Sequence, residues 1–444
     1  MENRIVQDLL LSRKYKTIRD IFNVMNAVDI ASLLAELNDK DLAYAFRLIP
    51  KDKAADTFSR MSDSMRTYLI NIFTDRELRE LLADLYLDDT VDLLEDLPAS
   101  MVTRILDQVP AEDRRTINML LNYPEDSAGS IMTTEYVSLR RDYTVSQAMA
   151  HIKEVGIHKE TIYTCYVLEQ RKLVGIVSAK DLMTSDDAVT MEELMETEII
   201  TVQTLTDQEE VARLFSKYDL LAVPVLDSDG YMVGIVTIDD AVDVLEDEAT
   251  EDIAKMAAIH PDGDDSYFDV SVWRHARSRI PWLLILMLTA TITGAIISQY
   301  ESAFEAIPLL VSFIPMLMDT GGNCGSQSST LVIRGIALDE IRFSDIFKVM
   351  FKEFRVALIV SVFLAAANTL RILLIYHNIN MAVTVGLSLI ITIIVSKLIG
   401  CSLPLLAKKV RLDPAIMASP LITTIVDTCS IVIFFKIATC IFGL

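Results

Sequence analysis

Between Pro414 and Phe435 the one formally charged residue is Asp427, set in a run otherwise fit only for lipid. A carboxylate near the centre of a bilayer is costly unless it faces water, a cation or a partner. Asp427 is therefore expected to line a polar pathway; the bland alternative is a dry hydrogen bond between helices. Its companion is Thr320-Gly-Gly-Asn-Cys-Gly-Ser-Gln327, where three glycines and a cluster of amide and hydroxyl groups interrupt an apolar segment. Loosened backbone is tolerated in a membrane only where it lines a cavity or is buried in protein. The expectation is a helix broken at the glycines and lying against the Asp427 segment. Carboxylates flanked by Asn323, Ser326, Thr330, Ser419 and the backbone around Gly322 suit a hard divalent cation that keeps its waters, as Mg2+ does. No thiolate or imidazole cluster lies in this path, which disfavours zinc or copper.

A second set of carboxylates lies outside the apolar runs. Asp88, Asp89, Asp92, Glu95 and Asp96 fall on or beside one helix, and Glu248, Glu251 and Asp252 share a helix face at i, i+3 and i+4. Like charges at these spacings repel and call for a counter-ion, the alternative being a solvated face. Residues 1–270 carry 54 acidic against 26 basic side chains, and residues 271–444 carry 9 against 14. So acidic a first part argues against nucleic acid, whose phosphates need basic residues, and points to a cationic partner. Acidity that merely maintains solubility is the rival explanation. No nucleophile–base pair, phosphate-binding loop or metal-hydrolase motif is present, so an enzyme is not expected. The five cysteines, at 165, 324, 401, 429 and 440, show no paired or metal-binding spacing and read as small hydrophobes in a reduced setting.

Four regions must position these groups. Residues 1–125 read as an all-α domain of short amphipathic helices, from apolar positions such as Leu78, Leu81, Leu82, Leu85 and Val91, Leu94, Leu97, with Pro50, Pro98, Pro110 and Pro124 at their ends. Residues 126–245 hold an internal repeat. Leu173-Val-Gly-Ile-Val-Ser178 returns as Met232-Val-Gly-Ile-Val-Thr237, each followed by an aspartate (Asp181, Asp240), and Ile131-Met-Thr-Thr134 returns as Leu194-Met-Glu-Thr197. Each copy alternates short β runs with helices, an α/β module present twice. Residues 246–270 form a connecting helical segment before Pro261, followed by Trp273, Arg274, Arg277 and Arg279 at a membrane entrance. Residues 271–444 should form a five-helix transmembrane domain with spans at Ile280–Tyr300, Ile307–Ile333, Val356–Tyr376, Met381–Leu406 and Pro414–Phe442.

Basic residues precede span one, separate spans two and three (Arg334 to Arg355) and separate spans four and five (Lys408, Lys409, Arg411), while the Glu301–Glu305 loop has none. The positive-inside bias then keeps the acidic part in the cytoplasm and sends Leu444 outside, in accord with an N-terminus that lacks the pattern of a signal peptide. Arg371 and Lys436 are expected to snorkel to an interface; Lys397 finds no partner from sequence. Five spans make a thin bundle for enclosing water, so a symmetric homodimer with the pathway near its interface is expected.

The duplicated Gly-Ile-Val-Ser/Thr-x-x-Asp resembles a pair of CBS domains. In that family the hydroxyl and aspartate hold the ribose of an adenosine nucleotide, which implicates Ser178, Lys180 and Asp181 for ATP, with Tyr163 as a stacking surface. Pro124-Glu-Asp-Ser-Ala-Gly-Ser-Ile-Met-Thr133, the CBS pair, the Thr320–Gln327 run and Asp413-Pro-Ala through Thr424-Ile-Val-Asp427 together resemble the bacterial MgtE magnesium transporters and channels over nearly the whole chain. The resemblance implies a homodimer in the bacterial inner membrane that moves hydrated Mg2+ inward past Asp427, with the pore formed by spans two and five. It also implies closure by cytoplasmic Mg2+ bound between the helical domain, the CBS pair and the connecting "plug" helix. The matching positions are Asp207, Glu209, Asp219, Asp240 and Asp243, then Glu248, Glu251 and Asp252 on the plug, and Asp413 at the cytoplasmic mouth; Asp88 and Asp92 are the choice in the helical domain. The rivals are a proton- or sodium-coupled divalent cation transporter, in which Asp427 would titrate, and a membrane-anchored nucleotide sensor, which would need no carboxylate in lipid.

Overall fold

The computed structural model describes residues 2–95, 97–259, 270–300, 307–417 and 419–443. Asp96, Pro261, the Glu301–Glu305 loop and Leu444 lie outside the described residues, as does the side chain of Ser419. The chain divides into two compact units, residues 1–248 with 264–266, and residues 249–263 with 267–444.

The first unit begins with ten short helices between Glu2 and Leu120, each eight to ten residues long. The prolines act as the spacing predicts: Pro50, Pro98 and Pro110 are the N-caps of Lys51–Ser59, Ala99–Leu106 and Ala111–Leu120. Proline suits that place because the amide it lacks would have had no helical partner there. Helices this short are marginal alone and depend on burying one face. Ile18, Phe22, Leu34, Phe58, Leu69 and Leu78 are fully buried, and the same core continues into Val211, Val223 and Val236 of the second repeat.

Each repeat builds a three-stranded sheet. In the first, β1 (Ser138–Arg140) runs parallel to β2 (Thr164–Glu169), which pairs antiparallel with β3 (Lys172–Ser178). In the second, β4 (Val202–Gln203), β5 (Ala222–Leu226) and β6 (Met232–Thr237) do the same, down to a matching irregularity at Val167/Leu168 and Val225/Leu226. The two copies are interlocked. Met132, ahead of the first copy, packs on Gly234 of the second, where a Cβ would lie 2.8 Å from its sulfur, and Met195, ahead of the second, packs on Gly175 of the first. Backbone bridges Thr133 to Ile235 and Ile176 to Glu196 complete the exchange. The glycine of each Val-Gly-Ile-Val run is thus explained by close approach of the other copy's methionine.

The helix after β6 is longer than the sequence suggests. It runs unbroken as Ile238–Met256, so the connecting segment is the continuation of the second repeat's last helix rather than a separate element.

The second unit contains five long helices: Val272–Ser298, Ile314–Ala337, Ile346–Tyr376, Ile379–Lys409 and Ser419–Phe442. By length and composition, four described helices are apolar enough to cross a membrane: Val272–Ser298, Phe343–Tyr376, Ile379–Lys409 and Pro414–Phe442. Ile314–Ala337, the expected second span, is the polar one, and its form corrects an expectation. It is a continuous α-helix of 24 residues, not broken at Gly321, Gly322 or Gly325. The glycines act through their missing side chains. A Cβ on Gly321 would lie 2.9 Å from Thr392, Val426 and Ser430, one on Gly325 would lie 2.7 Å from Ile422, and one on Gly400 would strike the Gly325 carbonyl oxygen. In lipid, where no hydrophobic drive joins helices, small residues hold them by close backbone approach.

Candidate functional site

Around the glycine helix the second unit sorts its side chains by polarity. Its buried face (Gly321, Gly322, Gly325, Ser328, Ser329, Val332) meets the helices Ile379–Lys409 and Ser419–Phe442. Its other face carries Asp319, Asn323, Gln327 and Thr330, all exposed, with Ser326 partly so. These are spaced three to four residues apart, one stripe on a 3.6-residue helix. A polar stripe left uncovered on an otherwise apolar bundle has a poor environment in lipid and a good one beside water. Asp427 is half-buried, and Asp319 is near enough to act on it electrostatically. Asp427 is held by its neighbours on the terminal helix: Thr428 shares a 3.0 Å hydrogen bond with Thr293, and Gly322 abuts Thr423. The Ser329 hydroxyl donates to the Met417 carbonyl at 3.0 Å, fixing the turn that precedes the terminal helix.

Asp413 stands ahead of that turn. Its Oδ1 accepts from the Ala415 amide at 2.7 Å and its Oδ2 lies 2.6 Å from Lys255 Nζ, whose other contact is Glu251 Oε1 at 2.6 Å. Burial alone would lower the Lys255 pKa, but its hydrogen bonds to Asp413 and Glu251 raise it above its ordinary value. Glu251 and Asp413 are thus brought together, around an ammonium group. Glu248 accepts a 3.0 Å hydrogen bond from Gln208 Nε2.

In the first unit the carboxylates converge more tightly than expected. One oxygen each from Asp88, Glu135 and Glu160 falls within 4.8 Å of the others. Asp88 Oδ1 and Glu160 Oε2 are buried with no hydrogen-bond partner. Burial first, and neighbouring carboxylates second, push Asp88 up to about 7, Asp92 to about 8 and Glu160 to about 8. Burial also takes Asp240 to about 7, with Asp88 adding to the rise, and Asp89 to about 6. Carboxylates stripped of water and facing one another lack a positive charge. Oxygen-only donors of this kind fit Mg2+, and the two orphaned oxygens are where it would bind. Glu135 and Glu160 escape sequence reading because they lie 47 and 72 residues from Asp88 on separate loops; the acidity of the whole region is the only signal they leave.

Other predicted ligands are placed apart. Asp207 caps the helix Gln208–Tyr218, accepting from the Glu209 amide at 2.9 Å, and Glu209 pairs with Arg213. Asp219 ends the same helix in a left-handed turn, φ 52°. The structure does not bring Asp219 to Asp207 within this helix, because eleven helical residues separate them. Asp243 is raised by burial and moderated by Arg60.

The repeat places the nucleotide candidates side by side. The Ser178 hydroxyl lies 2.5 Å from Asp181 Oδ2, and the Tyr163 carbonyl accepts from the Ala179 amide at 2.8 Å. Tyr163 is 67% exposed, and Lys180 is exposed as well. In the second copy the Thr237 hydroxyl lies 2.6 Å from both Asp239 and Asp240, so the equivalent aspartate is turned into the acidic cluster.

Models described as the MgtE intracellular N domain, the CBS domain and the divalent cation transporter MgtE match residues 25–126, 128–187 with 191–247, and 314–437. The chain is 33% identical to the magnesium transporter MgtE of Bacillus subtilis over 97% of its length and 95% of that protein's. It is 34% identical to the Thermus thermophilus protein of the same name over 98% and 97%. Among solved structures, the cytosolic domain of the Mg2+ channel MgtE in complex with ATP aligns at TM-score 0.52 and 34% identity, covering 54% of this chain and 98% of that one. The soluble part of a magnesium transporter aligns at TM-score 0.52 and 33% identity, covering 56% and 98%. With near-complete coverage in both directions and all three family models in order, this chain belongs to the MgtE family of divalent cation transporters, a family of transporters rather than enzymes.

Proposed function

We propose that this protein is a Mg2+ channel that passes the hydrated ion into the cytoplasm along a path lined by Asp427 and the stripe Asn323, Ser326 and Thr330, with Ser419 and Gly322 adjoining. The observation that carries this reading is the polar stripe of Ile314–Ala337, exposed on a bundle whose other long helices are apolar, next to a half-buried Asp427. One protomer does not enclose that stripe, so a second copy related by a twofold axis completes the path. Five membrane helices put the acidic domains in the cytoplasm and the C-terminus outside. Carboxylates hold Mg2+ through its waters, because Mg2+ gives up hydration reluctantly.

Cytoplasmic Mg2+ closes the channel. It neutralises the Asp88, Asp92, Glu135, Glu160 and Asp240 group, whose buried oxygens otherwise repel. It also binds at Asp207, Glu209, Asp219, Asp243 and Glu248 of the first unit, and, in the second, at Glu251, Asp252 and Asp413, where the connecting helix meets the turn ahead of the terminal helix. ATP docks on the first CBS copy, stacking on Tyr163, with Ser178 and Asp181 toward the ribose and Lys180 toward the phosphates.

The test is Mg2+ flux into liposomes with internal Mg2+ varied and proton and sodium gradients imposed or abolished in turn. A channel gives flux that follows the Mg2+ electrochemical gradient alone and falls as internal Mg2+ rises. Flux that requires a proton or sodium gradient would replace this reading with the coupled transporter.

A further inference from the structure

Three polar side chains are sealed inside the second unit, away from the stripe. Glu353, on Ile346–Tyr376, is 9% exposed; Lys397, on Ile379–Lys409, is 4% exposed; and Ser328, on the glycine helix, is fully buried. The Ser328 hydroxyl donates to Glu353 Oε2 at 2.6 Å, and Lys397 Nζ lies 3.1 Å from Ser328 Oγ and 3.5 Å from that same carboxylate oxygen. One charge pair and one hydroxyl therefore tie three helices at a single point.

Burying such a pair does little for stability, since an apolar replacement of both partners is often neutral or better, whereas removing one leaves a stranded buried charge. What a buried pair does well is to choose one arrangement over its neighbours. The glycine helix needs such a choice. From Gly321 to Ser329 its buried face is only glycine, serine and cysteine, a smooth stretch whose larger knobs, Leu317 and Val332, stand at either end and leave the middle few contacts to set its rotation. A slip of one residue shifts a helix by about 1.5 Å and turns it by roughly a quarter of a circle. That slip would carry Ser328 away from Glu353, and would swing Asn323 and Gln327 off the face they now share. A second bond lies about two turns back along the glycine helix, where the hydroxyl of Ser396, the residue before Lys397, donates to the Gly321 carbonyl; it uses backbone, which every register presents, and so cannot select among them alone.

We propose that the Glu353–Lys397 pair, acting through Ser328, sets the rotation and register of the glycine helix and so decides which of its side chains face the ion path. These are positioning residues: buried behind the helix, they do not meet the ion. The inference rests on the reading of the exposed stripe as the path.

The experiment uses the full chain in liposomes, its five cysteines replaced by alanine and Asn323→Cys introduced, probed with a small charged thiol reagent from the water phase. With the pair intact, Cys at this position is labelled. In Glu353→Met with Lys397→Met, assembly and melting temperature are retained while labelling slows about tenfold, the change expected when a competing register takes most of the population. The exchanged pair, Glu353→Lys with Lys397→Glu, restores labelling toward the starting rate. Equal labelling in the double methionine variant overturns the proposal. So does failure of that variant to assemble, which would show that the pair holds the fold rather than its register. No labelling even with the pair intact would overturn the path reading itself, and this inference with it.

Discussion

Lys255 Nζ stands 2.6 Å from Asp413 Oδ2, joining the connecting helix to the turn ahead of the terminal helix through a tethered positive charge. Sequence reading assigns Asp413 and Glu251 to Mg2+; here one ammonium already bridges them. All three side chains are about a quarter to two-fifths exposed, so solvent weakens the pairing and its worth lies below that of a dry ion pair. In the proposed gating, a bridge that does not need the metal would let Mg2+ add to the closed state rather than create it. Lys255→Met should therefore raise flux at low internal Mg2+ and move the closure midpoint to higher Mg2+, while Lys255→Arg should stay near the parent. Flux curves against internal Mg2+ that overlay for all three would remove the bridge from the gating account.

The acidic cluster makes a separate prediction. Above about pH 8, where Glu160 is ionised, Glu160→Gln removes a buried, unpaired charge and should raise the melting temperature of the protein in chelator. The same change should shrink the gain on adding Mg2+, which for an intact site reaches about 2.7 kcal/mol at a hundred times Kd. Glu135→Gln should behave alike. Calorimetry with and without Mg2+ decides; an undiminished gain in both variants would place the regulatory ion elsewhere.

Protonation should substitute for the metal there. Asp88 and Asp240 at about 7, and Asp92 and Glu160 at about 8, are raised above their unfolded values, so the folded state holds protons that the unfolded state releases. Their contribution is complete below the unfolded pKa and is lost as pH rises through the folded one. Without divalent cations, the melting temperature of the first unit's transition should fall as pH goes from about 5 to about 8. With Mg2+ in excess that fall should flatten, because metal binding needs the deprotonated groups. A fall of equal depth in both conditions would separate the cluster from metal binding.

The glycine contacts predict strict size limits. A side chain at Gly400 would meet the Gly325 backbone oxygen, which has no rotamer to yield. Gly400→Val should separate the two helices, at the cost of about 1–3 kcal/mol typical of overpacking, and lower both thermal stability in detergent and flux. Gly294, with no neighbour near its Cβ direction, is the control and should accept alanine.

Local features of this molecule were legible in the sequence and long-range ones were not. The prolines that begin helices act through their own backbone, and the doubled Val-Gly-Ile-Val announces a repeated sheet; both are read from adjacent residues. The glycine run misled, because Gly321, Gly322 and Gly325 look like a break until Thr392, Ser396 and Thr423 are seen pressing on them. Spacing offered no partner for Lys397, since Glu353 is 44 residues away on another helix. Glu160 joined Asp88 only through packing of the helical domain on the repeats, which no periodicity encodes.

The account turns on the carboxylate at 427. The most direct measurement is Mg2+ flux in liposomes for the parent, Asp427→Asn and Asp427→Ala at matched insertion and oligomeric state, each with internal Mg2+ low. Both variants are predicted to lose at least about tenfold in flux, the loss of roughly 1.4 kcal/mol or more expected when a charge that meets the ion is removed. Flux at the parent rate in Asp427→Ala would contradict the account.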